Sequence, residues 1–218
     1  EISYVGSPEF GYNQMPGVQQ IVDRMVMHDG RGGQREVRYT YVGGRYDFVN
    51  RQTLGYKTVS AQLSPIAGEA EGPRIITTYM NDHIAEYGLV KAQLVTVGGT
   101  ETFSKTINDW TVASAGNGPY RAFKTSSRTA VRHGDKLIET NKSYSYTRYG
   151  EPTAIYDYGF SEDGVNLSDA DDFTTSLDYQ PNLSLYIVDR PKVKWVQSGA
   201  ASSWDKQTWL SRVNVVRL

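Results

Sequence analysis

Three histidines, a run of carboxylates and a few tryptophans carry most of the potential chemistry in this sequence. His28, His83 and His133 stand about 50 residues apart, each beside a turn signal. Zinc sites need histidines at short fixed spacings such as His-x-His or His-Glu-x-x-His, and none occurs, so these read as residues of turns and strand ends. Glu162, Asp163, Asp169, Asp171 and Asp172 gather the carboxylates that a hard cation such as calcium wants. Their spacing is not that of an EF-hand, and the plainer reading is a solvated loop with Ser168 capping a short helical turn. Trp195, Trp204 and Trp209, with Tyr186, have the ring chemistry of a sugar-stacking platform, although packing within a sheet is the commoner use of such residues. Glycoside hydrolysis needs two carboxylates at a set distance across a cleft, a pairing no sequence displays, and Asp109, Asp157 and Asp178 read as water-facing or turn-starting residues. There is no Gly-x-Ser-x-Gly elbow to raise the case for a Ser/His/Asp triad. With no cysteine, thiolate nucleophiles, thiolate metal sites and disulfides are excluded. No catalytic, cofactor-binding or metal-ligating residue is assigned.

The composition points to a scaffold. The 218 residues include 39% hydrophobic and 22% charged side chains, ordinary globular usage, and a chain of this length can bury roughly 70% of its unfolded surface. The 23 basic and 24 acidic residues are interspersed and sum to a net charge of −1, so no long-range field favours nucleic acid or anionic lipid. No stretch approaches the ~20 apolar residues of a membrane-spanning helix. The more unusual feature is 16 tyrosines, whose rings pack on a pleated surface while their hydroxyls reach water. The start, Glu1-Ile2-Ser3-Tyr4, has neither an initiator Met nor a signal-peptide pattern, and Gly6-Ser7-Pro8-Glu9-Phe10 resembles a cloning linker, so the chain is expected to be an excised piece.

Period-two alternation dominates nearly every segment. Val37, Tyr39 and Tyr41 fall on one side of a strand, Arg38 and Thr40 on the other. The apolar run Val18 to Met27 precedes it, and Asp29-Gly30-Arg31-Gly32-Gly33 between them supplies a hairpin loop. Further strands are predicted at Leu54 to Leu63, Ile75 to Met80, Leu89 to Val97, Glu101 to Val112, Tyr120 to Arg132, Lys136 to Arg148, Thr153 to Phe160, Phe173 to Tyr179, Leu183 to Val188, Lys192 to Gln197 and Thr208 to Val216. Gly43-Gly44, Gly98-Gly99, Gly116-Asn117-Gly118-Pro119, His133-Gly134-Asp135 and Tyr149-Gly150-Glu151-Pro152 supply the turns. Short helical turns fit at Asp82 to Tyr87 and Ser168 to Phe173, with Ser or Asp as caps. Nothing marks an interdomain linker, because the Gly/Pro-rich stretches Pro65 to Pro73 and Gly116 to Pro119 are loop-sized. Arg38 to Asp47 and Tyr144 to Gly150 are weakly alike, each a Tyr-alternating strand running into a glycine turn.

These segments carry a resemblance. Tyr39-Thr40-Tyr41-Val42-Gly43-Gly44-Arg45-Tyr46-Asp47, followed by Asn50-Arg51-Gln52-Thr53-Leu54-Gly55-Tyr56-Lys57-Thr58-Val59, is similar to the block preceding the YD repeats in SpvB/TcdB-type toxin subunits. Thr78-Tyr79-Met80-Asn81-Asp82 with Tyr87-Gly88-Leu89-Val90, and Tyr146-Thr147-Arg148-Tyr149-Gly150-Glu151-Pro152-Thr153, resemble the same proteins in the same order. The likeness runs from Met15 to Trp195. It departs at Tyr46-Asp47-Phe48 and Tyr156-Asp157-Tyr158, where a regular YD repeat has a polar residue, Gly and Arg after Tyr-Asp, so any repeats here are degenerate.

The resemblance to Rhs/YD-repeat shell proteins, closest to the B subunit of bacterial insecticidal toxin complexes, implies an all-β fold. Long antiparallel strands and hairpins would form a curved sheet, and residues 1–218 a single segment of a larger β-shell, with 1–14 partly linker-derived. It implies a non-catalytic role in a secreted bacterial shell that encloses a toxic C-terminal domain. The partners would be the remainder of the shell chain and a C-type subunit or the enclosed toxin domain; no nucleic acid, cofactor or membrane insertion is implied. The self-cleaving aspartates and the ADP-ribosyltransferase domain found in members of the family have no counterpart motif here. A different class of function, an extracellular carbohydrate- or protein-binding β module, fits the same Tyr/Trp-rich pattern, and a hydrolase is a more distant third.

Overall fold

The computed structural model describes residues 1–7, 14–65, 69–98, 101–113, 121–162, 165–167, 169–185 and 187–198. Two compact units divide after Ile107, and each consists of antiparallel strands joined mainly as hairpins. The chain is all-β, as the alternation predicts.

In the first unit, β1 (Ile2–Gly6), β2 (Gln20–His28), β3 (Gln34–Asp47), β4 (Gln52–Leu63), β5 (Arg74–Tyr79), β6 (Val90–Val97) and the start of β7 (Glu101–Ala113) pair in sequence order. The β2–β3 hairpin forms where the glycines allow it. Gly30 and Gly32 take φ of +73° and +93°, and the Asp29 carboxylate accepts the Arg31 and Gly33 N–H groups at 2.8 and 2.9 Å. Such an Asx turn fixes register at the loop. The alternation of β3 is visible in its pairing: Val37, Tyr39 and Tyr41 face Leu63, Ala61 and Val59, while Arg38 and Thr40 face Gln62 and Ser60. Val37 is buried, whereas Arg38 and Thr40 are exposed.

In the second unit, the rest of β7 is followed by β8 (Arg121–His133), β9 (Lys136–Tyr146), β10 (Pro152–Glu162), the two-residue β11 (Val165–Asn166), β12 (Phe173–Tyr179) and β13 (Pro191–Ser198). β8 pairs with β9, β9 with β10, β10 with β12 and β12 with β13, while β11 adds to the end of β10. Side chains also tie β7 to β8: Ser127 donates to Asn108 Oδ1 at 2.9 Å, and the Lys124 ammonium lies 5.2 Å from the centre of the Trp110 ring.

Little of either unit is a hydrophobic core. Among the described residues only Val26, Val37, Leu54, Ala130 and Ala154 are buried apolar side chains, against nine buried polar ones including Ser60, Asn81, Thr96, Asn108, Thr174 and Ser176. Among the described residues no second layer packs on these strands, and a single sheet cannot bury large side chains on both faces. Ladder hydrogen bonds and cross-strand pairs therefore carry most of the order.

Several expectations change. Leu183 to Val188 is not a strand: Leu183–Leu185 form a turn. Asn182 Oδ1 accepts the Ser184 hydroxyl and the Leu185 N–H at 2.8 and 3.2 Å, and Asn182 and Ile187 exchange backbone hydrogen bonds of 2.7 and 3.0 Å. Side-chain capture of the backbone wins over alternation there. Gly43-Gly44 is not a reversal; β3 runs through it, and the chain turns only after Asp47, so the likeness to the true turn at Tyr149-Gly150 ends at the glycine. β1 and β11 were not anticipated. Gly99, Gly116 to Pro119 and the predicted strand Thr208 to Val216 lie outside the described residues.

Candidate functional site

Two of the three segments that carry the resemblance converge in the first unit around a β-bulge. Opposite Arg45 and Tyr46 the register of β4 slips by one, making Leu54 the extra residue, and Leu54 is only 4% exposed. Gly43 and Gly55 flank the irregularity with φ of +70° and +74°. At Gly43 a side chain would also press on the Lys57 Cβ at 3.0 Å. A bulge of this kind turns an otherwise misdirected apolar side chain inward.

Asn81, from the segment joining β5 to β6, locks this arrangement. Its side-chain amide is 2% exposed and donates to the Gly43 carbonyl at 2.9 Å and the Gly55 carbonyl at 3.3 Å. Next to it Asp82 forms an ion pair with Arg45. Tyr41 and Tyr56 pack with ring centres 5.0 Å apart, and the Tyr87 ring lies 3.8 Å from where a Gly55 side chain would begin. Burial raises both the Tyr41 and Tyr56 hydroxyls above the ordinary phenol range. At the β3–β4 tip Asp47 accepts the Asn50 side-chain amide at 2.7 Å and the Val49 and Asn50 N–H groups at 2.9 and 3.0 Å. Those bonds, the Asn50 side chain first, hold its carboxyl below the ordinary range. The tip presents Phe48 and Val49 to solvent, 69% and 90% exposed.

The third motif segment makes a comparable knot in the second unit. Thr147 Oγ1 accepts the Tyr149 and Glu151 N–H groups at 3.1 and 3.3 Å, and the Arg148 guanidinium stacks 4.6 Å from the Tyr149 ring centre. Gly150 sits at φ +104°, where a side chain would press 3.0 Å against Phe123. Tyr146 closes the other side, its hydroxyl donating to the Lys124 carbonyl at 2.7 Å with its ring 5.1 Å from that of Phe123.

The residues singled out for chemistry are not gathered in this way. His28 ends β2 opposite Gln34, His133 ends β8 opposite Lys136, and His83 caps a 3-10 turn at Ile84–Glu86. That cap corrects an expectation: Asp82 is drawn to Arg45 instead, leaving the capping position to His83. In the acidic segment Glu162 pairs with Lys136, and Asp171 accepts the Phe160 N–H at 2.8 Å from beneath Gly159. Asp163, Ser168 and the Asp169 side chain lie outside the described residues, and among those described no group of three or more His, Asp or Glu side chains is placed to hold a metal ion. Asp109 and Asp178 are exposed, Asp109 accepting the Ser126 hydroxyl, and Asp157 pairs with Lys142 at 2.6 Å. That hydrogen bond raises the Lys142 ammonium above its ordinary range. Trp195 lies in β13 opposite Ser176, while Tyr186, Trp204 and Trp209 lie outside the described residues. Asp47 and Glu86 accept backbone N–H groups, Asp82 pairs with Arg45, and Glu151 accepts the Thr147 hydroxyl at 3.1 Å, so these carboxylates hold the turns in place.

An antiparallel β-scaffold with its motif residues spent on bulges and turns defines a structural class, and comparison with solved structures makes it specific. The chain superposes on TcdB2-TccC3 without its hypervariable C-terminal region with a TM-score of 0.67 at 12% identity, covering 91% of this chain and 14% of that one. A Photorhabdus luminescens Tc holotoxin pore structure carrying a TccC3 mutation gives a TM-score of 0.70 at 11% identity over 91% of this chain and 14% of that one. TcdB2-TccC3-Cdc42 gives 0.68 at 10% identity, covering 90% and 14%. The fold is thus that of a segment of a TcdB-type shell, about one-seventh of the length of the chains it matches. No family model and no curated protein sequence matches.

Proposed function

We propose that this chain is a non-catalytic wall segment of a secreted bacterial toxin shell that encloses a toxic C-terminal domain. It would be joined on either side to the remainder of its own shell chain and assembled with a C-type subunit or the enclosed toxin. The observation that carries this reading is the superposition on TcdB2-TccC3 chains over nine-tenths of these residues. The poverty of buried apolar side chains supports it, because a sheet of this kind gains its missing contacts from neighbouring parts of a larger wall. The role of the wall is isolation: a payload behind it reaches neither the producing cell's targets nor its proteases.

Limited proteolysis of the parent polypeptide, with and without this segment, tests the proposal. A domain downstream of the shell should resist cleavage in the intact protein and become sensitive when residues 15–195 are deleted. Equal sensitivity in both would refute the wall assignment. As an isolated piece the chain is expected to self-associate in sedimentation velocity at rising concentration, and a sharply monomeric, highly stable species would also count against it.

A further inference from the structure

His83 joins two parts of the first-unit knot. Its Nδ1 accepts the Ala85 N–H at 3.1 Å, and Glu86 Oε2 answers by accepting the Asp82 and His83 N–H groups at 3.0 and 3.1 Å. This is a reciprocal cap in which an imidazole occupies the place usually taken by Ser, Thr, Asp or Asn. The substitution matters chemically. A hydroxyl or amide oxygen accepts at any pH near neutrality, whereas an imidazole accepts at Nδ1 only while that nitrogen carries no proton. Histidine changes state between about pH 5 and 8.

The charged groups of the neighbouring segments come from two elements. Asp47 and Arg45 belong to the end of β3, and Asp82 and Glu86 to the segment of His83 itself. Arg45 is committed to Asp82. Asp47, held low chiefly by Asn50, also responds to charge on His83. We propose that His83 is a proton-operated latch: neutral, it caps the turn through Ala85; protonated, it surrenders that acceptor and swings towards the carboxylates of Asp47 and Glu86, exchanging a hydrogen-bonded closure for an ionic one.

Nuclear magnetic resonance on the whole 218-residue chain at low concentration tests this, following the His83 ring nitrogens with the Ala85, Val49 and Asn50 amides from pH 8 to pH 5. Above its midpoint the ring should be the Nε2–H tautomer. The three amides should move with the same midpoint as the ring, and exchange at Ala85, corrected for intrinsic pH dependence, should rise about fivefold on the acid side, as the loss of a cap implies. A His83→Asn chain keeps an acceptor oxygen and cannot titrate, so its amides should stay flat. An Nδ1–H tautomer, an Ala85 amide that ignores the ring's titration, or a step that survives in His83→Asn overturns the proposal. The wild-type tautomer and amide shifts decide it even if the variant fails to fold.

Discussion

Replacing Asn81 by alanine should unfold the first unit more readily than any exposed substitution in it. The side chain is 2% exposed and its amide satisfies two glycine carbonyls, one at 2.9 Å and the other at 3.3 Å. A buried acceptor deprived of its donor costs about 1–3 kcal/mol, and the shorter bond falls high in that range and the longer one low, for a total of about 3 kcal/mol. For a chain of this size that lowers Tm by about 6–12 °C. Urea titration should show a lower midpoint with the slope unchanged, because the loss is of native-state hydrogen bonds. Two companions sharpen the assay. Asn81→Asp sets carboxylate oxygens against the two carbonyl oxygens and should cost more than alanine. Asp82→Ala removes an ion pair whose side chains are 41% and 69% exposed and should cost at most about 1 kcal/mol. If Asn81→Ala stays within about 0.5 kcal/mol of wild type, the bulge does not depend on this amide and the reasoning fails.

Gly150→Ala should destabilise by about 2–3 kcal/mol, since it combines a left-handed backbone with overlap on Phe123, whereas Gly134→Ala, at φ +63° with open space around it, should cost only about 1–2 kcal/mol; parallel thermal melts test the difference. Asp47 has a folded pKa below its unfolded one, so its contribution is complete above the ordinary carboxylate value and is lost as pH falls through the lower folded value. Acid titration should therefore give the Val49 and Asn50 amides a second step, apart from the one shared with His83 and lying below that ordinary range, and Asp47→Asn should remove this lower step.

The extended ribbons were legible because a strand with two distinguishable faces writes itself at period two. Phe173–Tyr179 was read to the residue, and Lys136–Tyr146 lost only its last two. What escaped was decided by side chains reaching back to the backbone. Leu183, Leu185 and Ile187 alternate like a strand, yet Asn182 folds the chain upon itself. Gly43-Gly44 has turn composition, but its left-handed glycine serves a bulge inside a long strand. The three motif blocks were found as blocks, while the link from Asn81 to Gly43 spans 38 residues and leaves no local signature. The capping role of His83 was written nearby as His-x-x-Glu, and a reading of the capping box that admits imidazole as an acceptor would have found it.

A sheet ordered by its backbone ladders, with so few buried apolar side chains among the described residues to fit together, places little demand on side-chain volume. Substitutions at most positions alter a half-wetted surface, so a fold built this way tolerates wide variation in sequence while its contour persists, which accords with superpositions at 10–12% identity. The demand is concentrated instead on hinge-like points such as Gly43, Gly55, Asn81, Gly150 and Gly159. A saturation screen of this chain should return a nearly permissive map interrupted at those few places.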